Sequence, residues 1–335
     1  MWPISSEAGA RAVGLIDTAA DNLIATLTPI ANRFRNRLVI VEMGRAYCLG
    51  LSDSAIINRL GRSIMHQFDI LHFLQHRGLH VFAFDFGRYI IAAGVMWGIV
   101  WLLMRTSWQS RKIQKRIATG PEVRREFLAS VQSCLVYVAV TVFVVWGKEI
   151  GWLKDIDHSY GVAGNLAMLA AIIIAHDAYF YWAHRTMHHP RLFKFFHRHH
   201  HRSITPTPFA AYSFALPEAV VMAMFVPLWQ FFVATPGLIL FTFLNFRIIR
   251  NVMGHAGVEL MPRWWLSSPL TRWLNSTTHH DLHHAGSFTH NYGLYFTWWD
   301  KIMGTEHPKY HEAFGRVTAR ADAPLGSAFV PSATL

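Results

Sequence analysis

Three short clusters carry most of this chain's potential for chemistry: His184-Arg185-Thr186-Met187-His188, His197-Arg198-His199-His200-His201 and His279-His280-Asp281-Leu282-His283-His284. Their spacings are H-x-x-x-H, H-x-x-H-H and H-x-x-H-H, and fourteen of the twenty-one histidines lie between His176 and His290. Residues at i, i+3 and i+4 share a helix face. His184 with His188, and His197 with His200 and His201, are therefore expected to aim their rings at one point. Neutral imidazole is a ligand for iron, zinc, copper and nickel. The eight spaced residues, His184, His188, His197, His200, His201, His280, His283 and His284, are too many for one tetrahedral ion and suit two metals close together. His255 is a ninth candidate.

Carboxylates in range are few: Asp177, Glu218, Asp281 and Asp300. That scarcity disfavours helical di-iron bundles, whose ligands are mostly Glu with Glu-x-x-His pairs, and no H-E-x-x-H metalloprotease motif occurs. Asp177, seven residues before His184, and Asp281, inside the third cluster, are expected to orient ligand imidazoles. His199 and His279, off the ligand spacing, are expected to support the ligands from behind, as are His189 and His290. His176 lies two helical turns before His184, ~12 Å deeper, which points to a core or substrate-pocket role. Cys48 and Cys134 are too few and too far apart for a disulfide framework or a thiolate site, so a bound metal must rely on imidazole.

The elements that position these residues read as membrane helices. The formal charge of +11 fits an anionic membrane surface better than nucleic acid, because the basic residues flank apolar runs and no nucleic-acid-binding motif appears. Tyr89–Met104 is one span, short unless Val81–Phe86 extend it past Asp85. Phe127–Gly147 is long enough for a ~30 Å hydrocarbon layer. Ser159–Ala175 continues as a helix toward His184. The run Ala219–Phe246, broken near Pro227 and at Thr235-Pro236-Gly237, is expected to form a hairpin that crosses or dips into the bilayer. The basic stretch between residues 106 and 126 belongs on the cytoplasmic side, and counting crossings from it places all three clusters and His255 on that face.

The expected fold is thus an all-α integral membrane protein, with about four transmembrane or re-entrant helices and a cytoplasmic helical cap that carries a histidine-rich dimetal site. Residues 1–80 are expected to be an N-terminal extension with amphipathic stretches such as Ala12–Ile30, residues 81–310 the membrane-bound domain that carries the histidine clusters, and residues 311–335 a disordered tail. No cleavable signal peptide and no Gly-rich phosphate loop are apparent. A plausible lipid path passes Phe214, Met222, Met224 and Phe225.

The string Asp177-Ala-Tyr-Phe-Tyr-Trp-Ala-His-Arg-Thr-Met-His-His-Pro190, followed by His197–Arg202, resembles the fatty acid hydroxylase/sterol desaturase superfamily of membrane non-haem di-iron oxygenases. Pro206-Thr207-Pro208-Phe209-Ala210, and Asn291-Tyr292-Gly293-Leu294-Tyr295-Phe296-Thr297 after the third cluster, are similar to its sterol C-5 desaturase (lathosterol oxidase) branch. The resemblance implies two iron ions, dioxygen as co-substrate, a lipid substrate that is desaturated or hydroxylated, and an external electron donor, cytochrome b5-like or ferredoxin-like. It implies no intrinsic haem, flavin or nicotinamide site. It also implies a bacterial inner membrane or endoplasmic reticulum setting with the site facing the cytoplasm. The family's ligand positions fall on the eight spaced histidines, with His255, in Asn251-x-x-x-His255, as an additional one; His199 stands where other members have a different residue. Two rival readings use the same histidines: a zinc-dependent membrane hydrolase or lyase, and a metal transporter. A transporter should carry its ligands within the spans, whereas these clusters lie at or beyond span ends.

Overall fold

The computed structural model describes residues 78–319, except 150, 155, 157, 158 and 287. The amphipathic expectation for residues 12–30 and the tail from residue 320 onward lie outside the described residues, as do His66, His72, His76 and His158, lone histidines for which the sequence suggests no more than a structural role. The described chain is helical, and among those residues only two isolated β-bridges occur.

Among the described residues, four helices are long and apolar enough to cross a membrane. Helix α1 (Leu79–Leu103) extends through the polar turn that made its length uncertain. Asp85 is buried, pairs with Arg88 one turn later and accepts a 2.8 Å hydrogen bond from Thr141 Oγ1, so its charge is matched where lipid offers nothing. The next span, α2 (Gly120–Glu149), has 30 residues, about 45 Å at 1.5 Å per residue. Its start is fixed by Thr119-Gly-Pro-Glu122: the Glu122 carboxylate accepts the Thr119 backbone N–H at 2.9 Å, half of a capping box. Helix α3 (Gly161–Met187) ends at His188, just before Pro190, which cannot continue it. Ile91, Val95, Val162 and Leu166 on α1 and α3 are all more than half exposed, a poor surface for water and an ordinary one for lipid.

The expected hairpin is present, but its break is displaced. Helices α5 (Leu216–Ala223) and α6 (Phe225–Phe232) are separated at Met224, and Pro227 sits in the first turn of α6, where its missing N–H costs little. The hairpin does more than dip, because Gln230 and Phe232 carbonyls accept from Lys154 N (3.1 Å) and Nζ (2.9 Å) in the loop between α2 and α3, at the end of the spans away from the histidines. After extended residues around Pro236, α7 (Gly237–Gly254) returns to the histidine end. Phe214, Met222 and Phe225, on the expected lipid path, are buried in apolar packing, and Met224 is half-buried.

At that end the basic loop folds onto the chain that leaves α7. Glu259 N donates to Arg111 O at 3.0 Å, Ile113 N to Gly257 O at 3.1 Å, and Arg111 reaches the Met261 carbonyl. Short helices α4 (Pro190–Phe196), α8 (Thr277–Ala285), α9 (Trp298–Ile302) and α10 (Tyr310–Ala319) form a cap there. The fold continues past residue 310, where the sequence suggested that order ends. Tyr310, Phe314 and Val317 of α10 are buried, and Tyr310 and Phe314 pack with Met261. A ten-residue amphipathic segment with that apolar face buries too much to stay disordered.

Candidate metal centre

The first cluster closes α3, with His188 as its C-cap and its N–H on the His184 carbonyl at 3.1 Å. His189 then becomes the N-cap of α4, its Nδ1 accepting from Arg191 N at 3.3 Å. The second cluster does not form one helical face. His197 ends α4, and His200–Arg202 is a 3-10 turn joined to it through His201 N on His197 O at 3.2 Å. The third cluster is α8 itself, capped by Ser276 Oγ. His255 is the C-cap of α7.

The fold brings all nine candidates into two groups: His184, His188, His197, His201 and His283 in one, and His200, His255, His280 and His284 in the other. In each group every residue offers a nitrogen within 4.8 Å of the others. The expectation of one point per cluster is corrected by this partition. The neighbours His200-His201 and His283-His284 divide, one ring to each group, because successive residues on a helical turn project about 100° apart. Two dipeptides therefore tie the groups together.

Backbone carbonyls hold most of the rings. His184 Nδ1 lies 2.8 Å from Tyr292 O, His255 Nδ1 2.8 Å from Asn251 O, His283 Nδ1 2.7 Å from His290 O, His284 Nδ1 3.0 Å from Ser203 O and His200 Nδ1 3.4 Å from Ser213 O. His197 Nδ1 meets a carboxylate, Glu218 Oε1, at 2.6 Å. A carbonyl can only accept, so these contacts assign the proton to Nδ1 and leave Nε2 as a bare lone pair. Yet His184 Nε2 and His197 Nε2 lie 2.9 Å apart, and His200 and His255 oppose Nε2 atoms at 3.4 Å. His280 Nε2 is 3.1 Å from His255 and 3.2 Å from His284. Where both rings rest on carbonyls, as for His200 and His255, the facing lone pairs repel, and a cation between them would turn the repulsion into coordination.

Electrostatics favours the same state. Burial, reinforced by the neighbouring imidazoles, pushes His188, His197, His200, His201, His280 and His284 well below the usual histidine range, and burial with the nearby His184 does so for His283. Burial brings His255 down to about 4. Neutral, deprotonated imidazole is the metal-binding form.

The expected supporting residues are placed differently. Asp177 touches no imidazole: it accepts from Tyr295 N at 2.9 Å, Phe296 N at 3.3 Å and Trp298 Nε1 at 2.8 Å, pinning the loop before α9. Asp281 accepts from Gln114 Nε2 at 2.9 Å and so joins α8 to the basic loop; burial pushes its carboxyl up to about 7, against the pull of Gln114 and Lys112. His279 is fully buried with Nε2 3.4 Å from Asp300 Oδ2, and Asp300 in turn accepts from Tyr292 N and Gly293 N at 2.9 Å, behind the carbonyl that holds His184. Gly293 is required in that loop, since a Cβ there would lie 2.5 Å from Phe296 O. His199 is half-buried at the surface, away from both groups. His176 stacks at 5.5 Å on Tyr295 among Phe225 and Phe243, a core position. The sequence named Glu218 only as a carboxylate in range; its reach to His197, 21 residues away, had no spacing signal.

The fatty acid hydroxylase family model matches residues 169–305, the stretch that contains both groups. The chain is 38% identical over 136 residues to a Delta(7)-sterol 5(6)-desaturase of Gibberella zeae, covering 40% of this chain and 39% of that protein. It is 28% identical over 287 residues to a Delta(7)-sterol 5(6)-desaturase of Aspergillus fumigatus, covering 82% and 77%. It is 31% identical over 212 residues to a C-4 methylsterol oxidase of Schizosaccharomyces pombe, covering 58% and 69%. No solved structure matches the chain. With its nine histidines gathered within the stretch that the family model matches, and a relative 31% identical of which the chain covers 69%, the chain belongs to the fatty acid hydroxylase/sterol desaturase superfamily.

Proposed function

We propose that this protein is a membrane-embedded, O2-dependent oxidoreductase that desaturates or hydroxylates a sterol-like or long-chain lipid, with His184, His188, His197, His201 and His283 holding one iron ion and His200, His255, His280 and His284 a second. The observation that supports the reading is the convergence of Nε2 atoms at 2.9 to 3.4 Å, where the rings of His184, His200 and His255 are turned by backbone carbonyls to present bare lone pairs. Bound there, two iron ions supply the activation of dioxygen and the oxidation of an unreactive C–H bond. Tyr292 O, Asn251 O, His290 O and Ser203 O keep the ligand rings in one tautomer, and Glu218 makes His197 a stronger donor. Phe180 and Phe214 pack at 5.1 and 5.2 Å on His184 and His200 and exclude water from the membrane side of the site.

Desaturation removes two hydrogens and two electrons from the lipid, whereas reduction of dioxygen to two waters takes four. The remaining two come from an external donor, cytochrome b5-like or ferredoxin-like. The basic loop that packs on the cap supports a site facing the cytoplasm, by the positive-inside rule. Sterol relatives direct the choice of first substrates. The test is mass analysis of lipids after incubation of the bilayer-embedded protein with an electron donor, with and without oxygen. Loss of two hydrogens or gain of one oxygen, in the aerobic sample alone, is expected. Turnover without oxygen would favour the zinc hydrolase or lyase instead.

A further inference from the structure

A groove of 560 Å³ runs along one face of α2 and is lined by Arg124, Arg125, Leu128, Ala129, Gln132 and His199. Its two ends differ in chemistry. Arg124 is exposed at the rim, and Arg125 lies beside it with one Nη2 bonded to the Arg202 carbonyl at 3.1 Å. His199 faces the same space, and its buried Nε2 has no hydrogen-bond partner among the described residues. Among the described residues no carboxylate lines the groove; the acids beside it in sequence are engaged elsewhere, Glu122 with Arg116 and Glu126 with the Thr207 hydroxyl. Below the rim, Leu128, 54% exposed, and Ala129 form an apolar floor in the uncharged part of the span.

We propose that this groove binds the phosphate headgroup of an anionic phospholipid between Arg124, Arg125 and His199, with an acyl chain lying over Leu128 and Ala129. Clustered cations with no acid among them attract an anion, and guanidinium donors fit phosphate oxygens in pairs. The floor selects the source. An acidic protein could reach the charged rim but not an apolar groove at the depth where the span enters hydrocarbon, and a stable protein contact needs ~800 Å² per partner. The site has a structural link to the metal centre: Arg125 Nη2 also approaches Ser203 Oγ at 3.5 Å, and the Ser203 carbonyl holds His284 Nδ1. For that reason Arg124, which has no part in holding the ligands, is the residue to change.

The test uses the full chain, delipidated in mild detergent and titrated in native mass spectrometry with phosphatidylglycerol, with phosphatidylcholine and with inorganic phosphate. One phosphatidylglycerol is expected to bind more tightly than phosphatidylcholine. Arg124→Gln should weaken it about fivefold, the effect of one arginine near an anionic lipid. Leu128→Trp, which fills the floor and keeps every charge, should weaken it as well. Equal binding of the two lipids, displacement of the lipid by millimolar phosphate alone, or unchanged affinity in Leu128→Trp would overturn the proposal. So would an acidic protein whose binding is lost in Arg124→Gln while lipid binding is kept. Lipid retention is the readout, so the result is independent of whether the protein oxidises its substrate.

Discussion

The two histidine groups lie side by side but are held in different ways. The group of five contains the one ring fixed by a carboxylate, His197 on Glu218, and the one ring that is not fully buried, His188. The group of four is buried throughout, and His200, His255 and His284 rest on backbone carbonyls alone. A carboxylate raises the basicity of the ligand it holds, whereas a carbonyl mainly fixes orientation. On the proposed reading, the difference would make a metal in the first group tunable and one in the second rigidly held, with the shared dipeptides His200-His201 and His283-His284 setting the separation of the groups.

The partition can be broken most severely at a shared dipeptide. His283→Ala and His284→Ala alter adjacent residues yet each removes a ligand from a different group, so either variant should lower the bound metal from two toward one per chain and cut turnover by at least about 100-fold. Elemental analysis of the two variants checks this, and loss of both metals from each would mean that the groups are not separable. Glu218→Gln has a smaller and one-sided effect. It keeps the shape and replaces the carboxyl that holds His197 with an amide, so affinity for one metal should fall by about 10- to 100-fold while the other is unchanged; equal weakening of both in a chelator titration would remove the asymmetry between the groups.

The effect of pH is milder and common to both groups. The buried ligand rings outside the spans have folded pKa values below the unfolded value near 6.5, so below that pH the unfolded chain binds more protons. Stability of the metal-free protein is therefore full above about pH 6.5 and is lost as pH falls, for His255 down to about 4. At pH 5.5 the loss should be about 1 kcal/mol per buried histidine. Thermal unfolding of metal-free protein between pH 7.5 and 5.5 measures it, and addition of metal should shift the loss to lower pH.

Much of this arrangement could be read from residue spacing, and the exceptions have physical causes. All nine gathered histidines carried an i, i+3 or i+4 signal or, for His255, a family position. Their division did not, because it depends on a 3-10 turn at His200–Arg202 and on ring direction, which spacing alone does not give. Asp177 was on the expected helix face yet serves the loop at Tyr295 to Trp298, where three N–H donors converge on its carboxyl group. Glu218 was legible only as a scarce carboxylate, because its partner comes from another helix. The spans were legible from composition. Their ends were less so: Asp85 reads as a terminus in sequence, but Arg88 pairs with it and the Thr141 hydroxyl hydrogen-bonds it within the span.

The most direct test is the metal content of the purified wild-type chain, measured by elemental analysis together with X-ray absorption at the iron edge. Two irons per chain in an all-nitrogen, imidazole-type environment are predicted. A single metal ion, or carboxylate-dominated coordination, would contradict the two-group account.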